Sequence, residues 1–458
     1  VALTREKAID VVKGRLWPLL QLERERVARI DRWMRWDHDN PHRPRYATRE
    51  YKDLADRAQA PWGRRVVTAV TDQLYVEGYR AARAASDAAP WVWWQENGLD
   101  ARQIAVHEAA IGYGLSYNVV LPGKSWLGEK MPMIRGLDPS QMVAVYEDPA
   151  WDDWPIYALR ADSVKVGDRD AWKLRLYDDT DVHRLVLSSS GDSLEYVRSE
   201  SHGVGVCPVV RFTNHLDLRG RASGDIEPII PVLGRIDQTT FDRLVVQRFA
   251  SWKVRTIAGM AKPETPEDAA AERLRLKVED ILIASDPDTK FSTLDETPLG
   301  GFIEAHDADV RALAALSQSP AHELVGQMAN LSAEALAAAE SSLTRRVTRV
   351  KHPLGESWEQ TLRLAGRVMG DTEAAKDFAS QMRWRDMESK SMAQAADALG
   401  KMAQMLGIPV EILWEKLPGF TETDIERAKM LRDQGGGLEA LMRELQGATE
   451  PVEVAPVG

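Results

Sequence analysis

Several places in the chain hold side chains that could do chemistry, and each lacks something its chemistry requires. His107-Glu108 has a ligand and a base at the spacing of a zincin helix, but no second histidine follows one turn later. His202, Cys207 and His215 are three metal-capable donors whose separations match no standard zinc module. Gly114-Leu-Ser-Tyr-Asn118 lacks the second glycine that lets a nucleophile elbow turn sharply enough to expose its serine. The acidic pairs Glu147-Asp148, Asp152-Asp153 and Asp178-Asp179 could hold nuclease metals, yet each reads more simply as a solvated turn. No glycine-rich phosphate loop ending in Lys-Ser/Thr occurs, so the chain is not expected to hydrolyse ATP itself. We therefore expect no active site, no metal and no cofactor.

Composition narrows the class further. Hydrophobic residues make up 44% of the 458 positions and charged residues 28%, the balance of a globular protein with several cores. No run of eighteen apolar residues could span a membrane. The N-terminus carries no apolar signal core, and the expected site of synthesis is the cytoplasm. One cysteine, Cys207, excludes an intramolecular disulfide. A formal net charge of −11 argues against tight nucleic-acid binding, which relies on a basic face to displace phosphate counterions. It is compatible with a surface that lets DNA slide past.

The element that organises the rest runs from Leu316 to Gly370. Ser317-Gln-Ser-Pro320 breaks one helix, and a polar stretch leads to Ser332, which can cap the next. Apolar residues then recur at Leu336, Ala339, Leu343, Val347, Val350, Leu354, Trp358 and Leu362, one stripe on a long helix with a kink expected at Pro353. N-terminal to it, helices are expected over 4–36 with an interruption near Pro18, over 48–60, 61–75 and 100–112. Trp91-Val-Trp-Trp94 suggests a core or a subunit interface rather than a ligand cage.

From about Ser116 the pattern turns to strands at 117–121, 142–146, 156–160, 172–177, 183–187 and 207–212. Helical periodicity returns over 229–252 and 302–316. Between those two helices lies an insert with a short charged helix and two strands, 281–284 and 291–294, turning at Asp286-Pro-Asp288. A strand at 381–385 and helices at 389–406, 410–417 and 423–433 precede an acidic tail. The expected class is α+β, mainly helical. A small lobe at the end of an antiparallel helix pair is the simplest way to place the insert.

In this order the motifs resemble the portal proteins of tailed double-stranded-DNA bacteriophages, in the branch common among actinobacterial phages. The resemblance rests on Asn97-Gly-Leu-Asp100 with His107 to Tyr117, on Leu137-Asp-Pro with Tyr146-Glu-Asp, and on Gly224-Asp-Ile-Glu-Pro through Trp252. It continues through Ser319-Pro-Ala-His322 to Glu334, Trp384-Arg-Asp386, Ile408-Pro and Leu417-Pro-Gly. None is sharp alone; the succession, across nearly the whole chain, is what is specific.

The resemblance implies a homo-oligomeric ring, usually of twelve subunits, at one capsid vertex of the virion, assembled in the host cytoplasm. Double-stranded DNA would pass through it non-specifically. Its other implied partners are the terminase large subunit, a head–tail adaptor, and the major capsid and scaffolding proteins. It also implies a division into a wing (1–225), a first stem helix (226–256), a clip (257–301) and a second stem helix (302–316). A tunnel loop (317–331), the long kinked helix with its return to the wing (332–385), a crown (386–435) and a flexible tail (436–458) follow. His322, Glu323, Gln327 and Asn330 would sit near passing DNA, and Asp286, Asp288 and Lys290 would serve docking at the clip. Arg345, Arg346, Arg349 and Lys351 form the most basic run of the long helix, and in a ring they are expected to contact the adjacent subunit. The competing readings are a phage head-associated enzyme, protease or nuclease, and a monomeric helical adaptor.

Overall fold

The computed structural model describes residues 3–42, 49–82, 88–166, 169–191, 193–250, 255–258, 290–293, 298–326, 333–385, 392–414, 416–417, 420 and 422–433. It is mixed α/β and about half helical. In chain order the described strands are β1 (Val76–Arg80), β2 (Leu115–Lys124), β3 (Lys130–Leu137), β4 (Met142–Val145), β5 (Tyr157–Val166) and β6 (Arg169–Tyr177). They continue with β7 (Asp181–Ser188), β8 (Leu194–Ser201), β9 (Val209–Thr213), β10 (Arg255–Ala258), β11 (Lys290–Thr293) and β12 (Gln381–Trp384). Two units divide the chain: one holds 1–37, 62–228 and 331–458, the other 38–61 and 229–330.

The first unit is built on two antiparallel sheets, β3-β2-β9 and β4-β5-β6-β7-β8. Alternation along the strands turns Val143, Leu159, Leu174, Leu176, Leu185 and Leu187 to one face. The N-terminal helix covers that face with Ala8, Val12, Leu16 and Leu20. A spacing of four drifts by about 40° per step on an ideal α-helix. The π-helical turn over Val12–Leu16 widens the helix there and takes up the drift. The interruption expected near Pro18 is this turn: Pro18 sits in the first turn of Trp17–Met34, where its missing N–H leaves the carbonyl one turn back without its usual donor. A second core, with Tyr117, Val119, Met142, Tyr177, Cys207 and Val209, joins residues of both sheets.

The long helix, Ala333–Met369, packs on β2, β3 and β9 and runs through Pro353 without ending there. Leu343, Val347, Val350, Leu354, Trp358 and Leu362 are all buried, as the stripe requires. Trp358 is its anchor: its ring meets Trp94 at 4.7 Å and Phe212 at 4.8 Å, both edge-on. Its indole N–H donates to His107 Nε2 at 2.9 Å, while His107 Nδ1 faces the Leu74 carbonyl at 3.1 Å. Trp91 stacks on Trp94, so the tryptophan cluster is core. Nearby, β1 pairs with β12, and the buried Gln103 holds both the N–H and the carbonyl of Val76. After β12 come helices Met392–Leu406, Val410–Trp414 and Glu422–Asp433, the last two sharing a small core of Trp414, Ile425 and Ala428.

In the second unit, helix Ile230–Ala250 packs against helix Gly300–Ser317, with Arg235 paired to Asp309 at 3.0 Å. Phe241 fills a core with Ala55 and Ala58 of helix Arg49–Ala58. A polar clasp ties the preceding segment to the same helix: His38 Nε2 lies 2.6 Å from Asp237, and Gln238 accepts the His42 N–H at 2.7 Å.

Candidate functional site

The features with functional potential in the second unit follow from where its helices begin and end. Five residues beyond Ala250, β10 pairs antiparallel with β11, Arg255 facing Thr293 and Ala258 facing Lys290. Strand 291–294 of the sequence reading is thus β11, but its described partner is 255–258 rather than 281–284, a segment outside the described residues. The β-branched Thr256 and Ile257 suit this pairing, a short signal that follows directly on the helical stripe ending at Trp252. Lys290 opens β11; Asp286 and Asp288 lie outside the described residues.

At its other end, helix Gly300–Ser317 stops abruptly. Gln318 takes φ 54°, the left-handed conformation that usually falls to glycine, and the Ser319 N–H reaches back to the Ala314 carbonyl at 3.1 Å. Pro320 then starts a short helix, Ala321–Val325, which Gly326 ends at φ 71°. Within the expected loop, Ala321–Val325 is helical because Pro320 supplies a helix start and the His322 carbonyl accepts the Gly326 N–H at 2.9 Å. His322 is partly exposed in that helix and Glu323 follows it; Gln327 and Asn330 lie outside the described residues.

The basic run on the long helix separates into different environments. Arg346 is buried against Asp225, and burial lowers its guanidinium to about 10, with Arg349 adding repulsion. The position falls beside the apolar stripe, and within the chain Asp225 compensates its charge. Lys351 lies over the Trp384 ring at 6.0 Å. Arg345 and Arg349 are exposed, Arg349 reaching His215 at 3.4 Å.

The constellations that could have been catalytic are dispersed. Cys207 is buried with its thiol toward the Tyr177 carbonyl, and burial pushes its pKa well up. His202 faces the Asp178 carbonyl, and His215 lies on the surface. His107 is enclosed, and burial lowers it to about 4. Asp178 is a structural hub: it accepts the N–H groups of Leu3, Thr180 and Asp181 and sits 3.1 Å from His183 Nε2, bonds that hold its carboxyl far below the usual range. Asp148 and Asp152 close their own turn. Among the described residues no group of three or more His, Cys, Asp or Glu is placed to hold a metal, and no helix is long and apolar enough to cross a membrane.

The polar groups described above are engaged largely in holding the backbone. Comparison with known proteins gives the family. Residues 18–435 match the family model described as phage portal protein, SPP1 Gp6-like, and the chain belongs to that family. It is 27% identical over 363 residues to the portal protein of Mycobacterium phage D29, covering 75% of this chain and 72% of that one. It is 26% identical over 371 residues to the portal protein of Mycobacterium phage L5, with the same coverage. The family is structural rather than enzymatic, and its members are virion components at the capsid.

Proposed function

We propose that copies of this chain close into a ring, of twelve subunits by analogy with the family, and that the ring is the channel through which the genome enters, is retained and leaves. In this reading the helices Ile230–Ala250 and Gly300–Ser317 are the stem, and the segment beyond β10 and β11 is the clip on which the terminase large subunit docks. The reversal from Ser317 to residue 331 approaches the DNA, the sheets with the N-terminal helices form the wing, and the helices after 386 form the crown. Assembly takes place in the host cytoplasm with major capsid and scaffolding proteins, and a head–tail adaptor binds after packaging.

The observation that carries the reading is the second unit itself: two packed helices, a strand pair that lies between them in the sequence, and a sharp reversal at Gln318 that ends the second helix. A net charge of −11 suits a conduit that must not grip phosphate. Sedimentation velocity on the purified full chain tests it. A single large species of about twelve subunits is expected; a chain that stays monomeric at micromolar concentration would overturn the reading and favour the helical adaptor.

A further inference from the structure

Trp126 stands at the tip of the hairpin between β2 and β3 and is 93% exposed; its neighbour Leu127 is 64% exposed. The tip that carries them is braced. The Ser125 N–H donates to the Glu129 carbonyl at 2.8 Å, the Gly128 N–H to the Ser125 carbonyl at 3.0 Å, and the Glu129 N–H to Ser125 Oγ at 3.2 Å. Gly128 supplies the positive φ of 85° that the turn requires. Behind it the ladder runs unbroken from Lys124 facing Lys130 to Tyr117 facing Leu137. The fold thus holds an indole and an isobutyl group out in water on a rigid arm.

The same unit contains a hollow of about 420 Å³ beside the last turns of the long helix. Trp154, Val204, Ala375 and Phe378 line it together with Arg363 and Arg367. Phe378 is 78% exposed, and the Arg363 guanidinium lies 5.2 Å from its ring centre. Tryptophan, phenylalanine and arginine around one concavity are the composition of an interface centre. The volume is in the range that encloses groups as large as the two at the tip.

We propose that the Trp126–Leu127 tip of one subunit seats in this hollow on the next copy of the chain. The inference rests on the ring reading above and gives that ring its joint. A closed ring repeats one heterologous contact, so each subunit must carry two different, mutually fitting surfaces. The tip and the hollow are such a pair, and the exposure of Trp126 means that its own subunit does not cover it. Lys124, Glu129 and Lys130 flank the tip, and Asp153, Arg363, Arg367, Asp371 and Lys376 border the hollow, so both signs of charge are available on each side of the joint.

The test uses the full chain, with Leu127→Cys and Thr372→Cys made separately and together, and a short bis-maleimide as cross-linker. Thr372 borders the hollow and is exposed, while Cys207 is buried and does not compete. The double variant is expected to give a ladder of covalent oligomers and a mixture of the two single variants covalent dimers; either single variant alone is expected to give neither. Trp126→Ala should leave the melting temperature of the subunit unchanged and raise the concentration needed for half-assembly by roughly tenfold or more. Rings that form at unchanged concentration in Trp126→Ala and give no cross-link overturn the joint while leaving the ring intact. Linkage of Leu127→Cys to co-expressed major capsid protein instead also overturns it, and a wild-type chain that never assembles removes both.

Discussion

His107 makes the pH dependence of the core readable one residue at a time. Its two nitrogens are matched, one to the Leu74 carbonyl and one to the Trp358 N–H, so the neutral ring fits and a second proton has no acceptor. Burial lowers its pKa from 6.5 to about 4. The unfolded chain therefore binds a proton that the native core refuses, and stability is lost as pH falls from about 6.5 toward 4, by roughly 3 kcal/mol at about 1.4 kcal/mol per pH unit. Urea unfolding at fixed protein concentration should show this loss in the wild type and a flatter slope over that window in His107→Gln. Glu359 works in the other direction. It is 8% exposed, accepts the Met382 N–H at 3.0 Å, and burial raises it from 4.5 to about 7. Its contribution is present below about pH 4.5 and is lost as pH rises through 7. Glu359→Gln keeps the acceptor without the charge, and at pH 8 it should stabilise the chain by about 1–2 kcal/mol in the same measurement. Neither residue announces this in the sequence. His107 reads as an ordinary helical histidine because its partner Trp358 is 251 positions away.

Among the elements, those with local periodicity were legible and those held by distant partners were not. The stripe from Leu343 to Leu362 is visible because each residue faces the same way on one helix, and β2, β4 to β7 and β9 are visible as apolar or alternating runs. β1, Val-Glu-Gly-Tyr-Arg, is short, and its Gly78 weakens the strand signal of Val76 and Tyr79; Gln103 and a partner strand some 300 residues later make it a strand. β3 carries Pro132 and Gly136, which read as breakers, and β8 is a polar edge strand whose charges suit exposure. Gln103→Ala would leave the Val76 N–H and carbonyl without that partner. We expect a loss of about 2–3 kcal/mol, with faster amide exchange in β1 and β12 and unchanged exchange in β4 to β7. The reversal at Gln318 gives the opposite sign. A glycine there adopts φ 54° without the Cβ penalty, so Gln318→Gly should raise stability by about 0.5–1 kcal/mol in thermal unfolding.

At the scale of the whole molecule, the family was legible from the order of weak motifs, three of which have a clear structural role among the described residues. Asn97 binds the Pro132 carbonyl and the Ile134 N–H, joining the helix that follows it to β3. Asp138 closes the turn after β3 through the Ser140 N–H, and Asp225 receives Arg346. Those residues stabilise turns and junctions. Sites were less legible than fold: the basic run mixed an internal ion pair with surface arginines, and the exposed tip at Trp126 gave no periodic signal at all. A conduit subunit has no reaction to measure, so its central claim is geometric. Electron-microscopic averages of the purified full-length particle, viewed along its axis, test that claim most directly. Closed rings with an open centre and about twelve repeats are expected; single-chain particles, or dimers related by a two-fold axis with no hole, would contradict it.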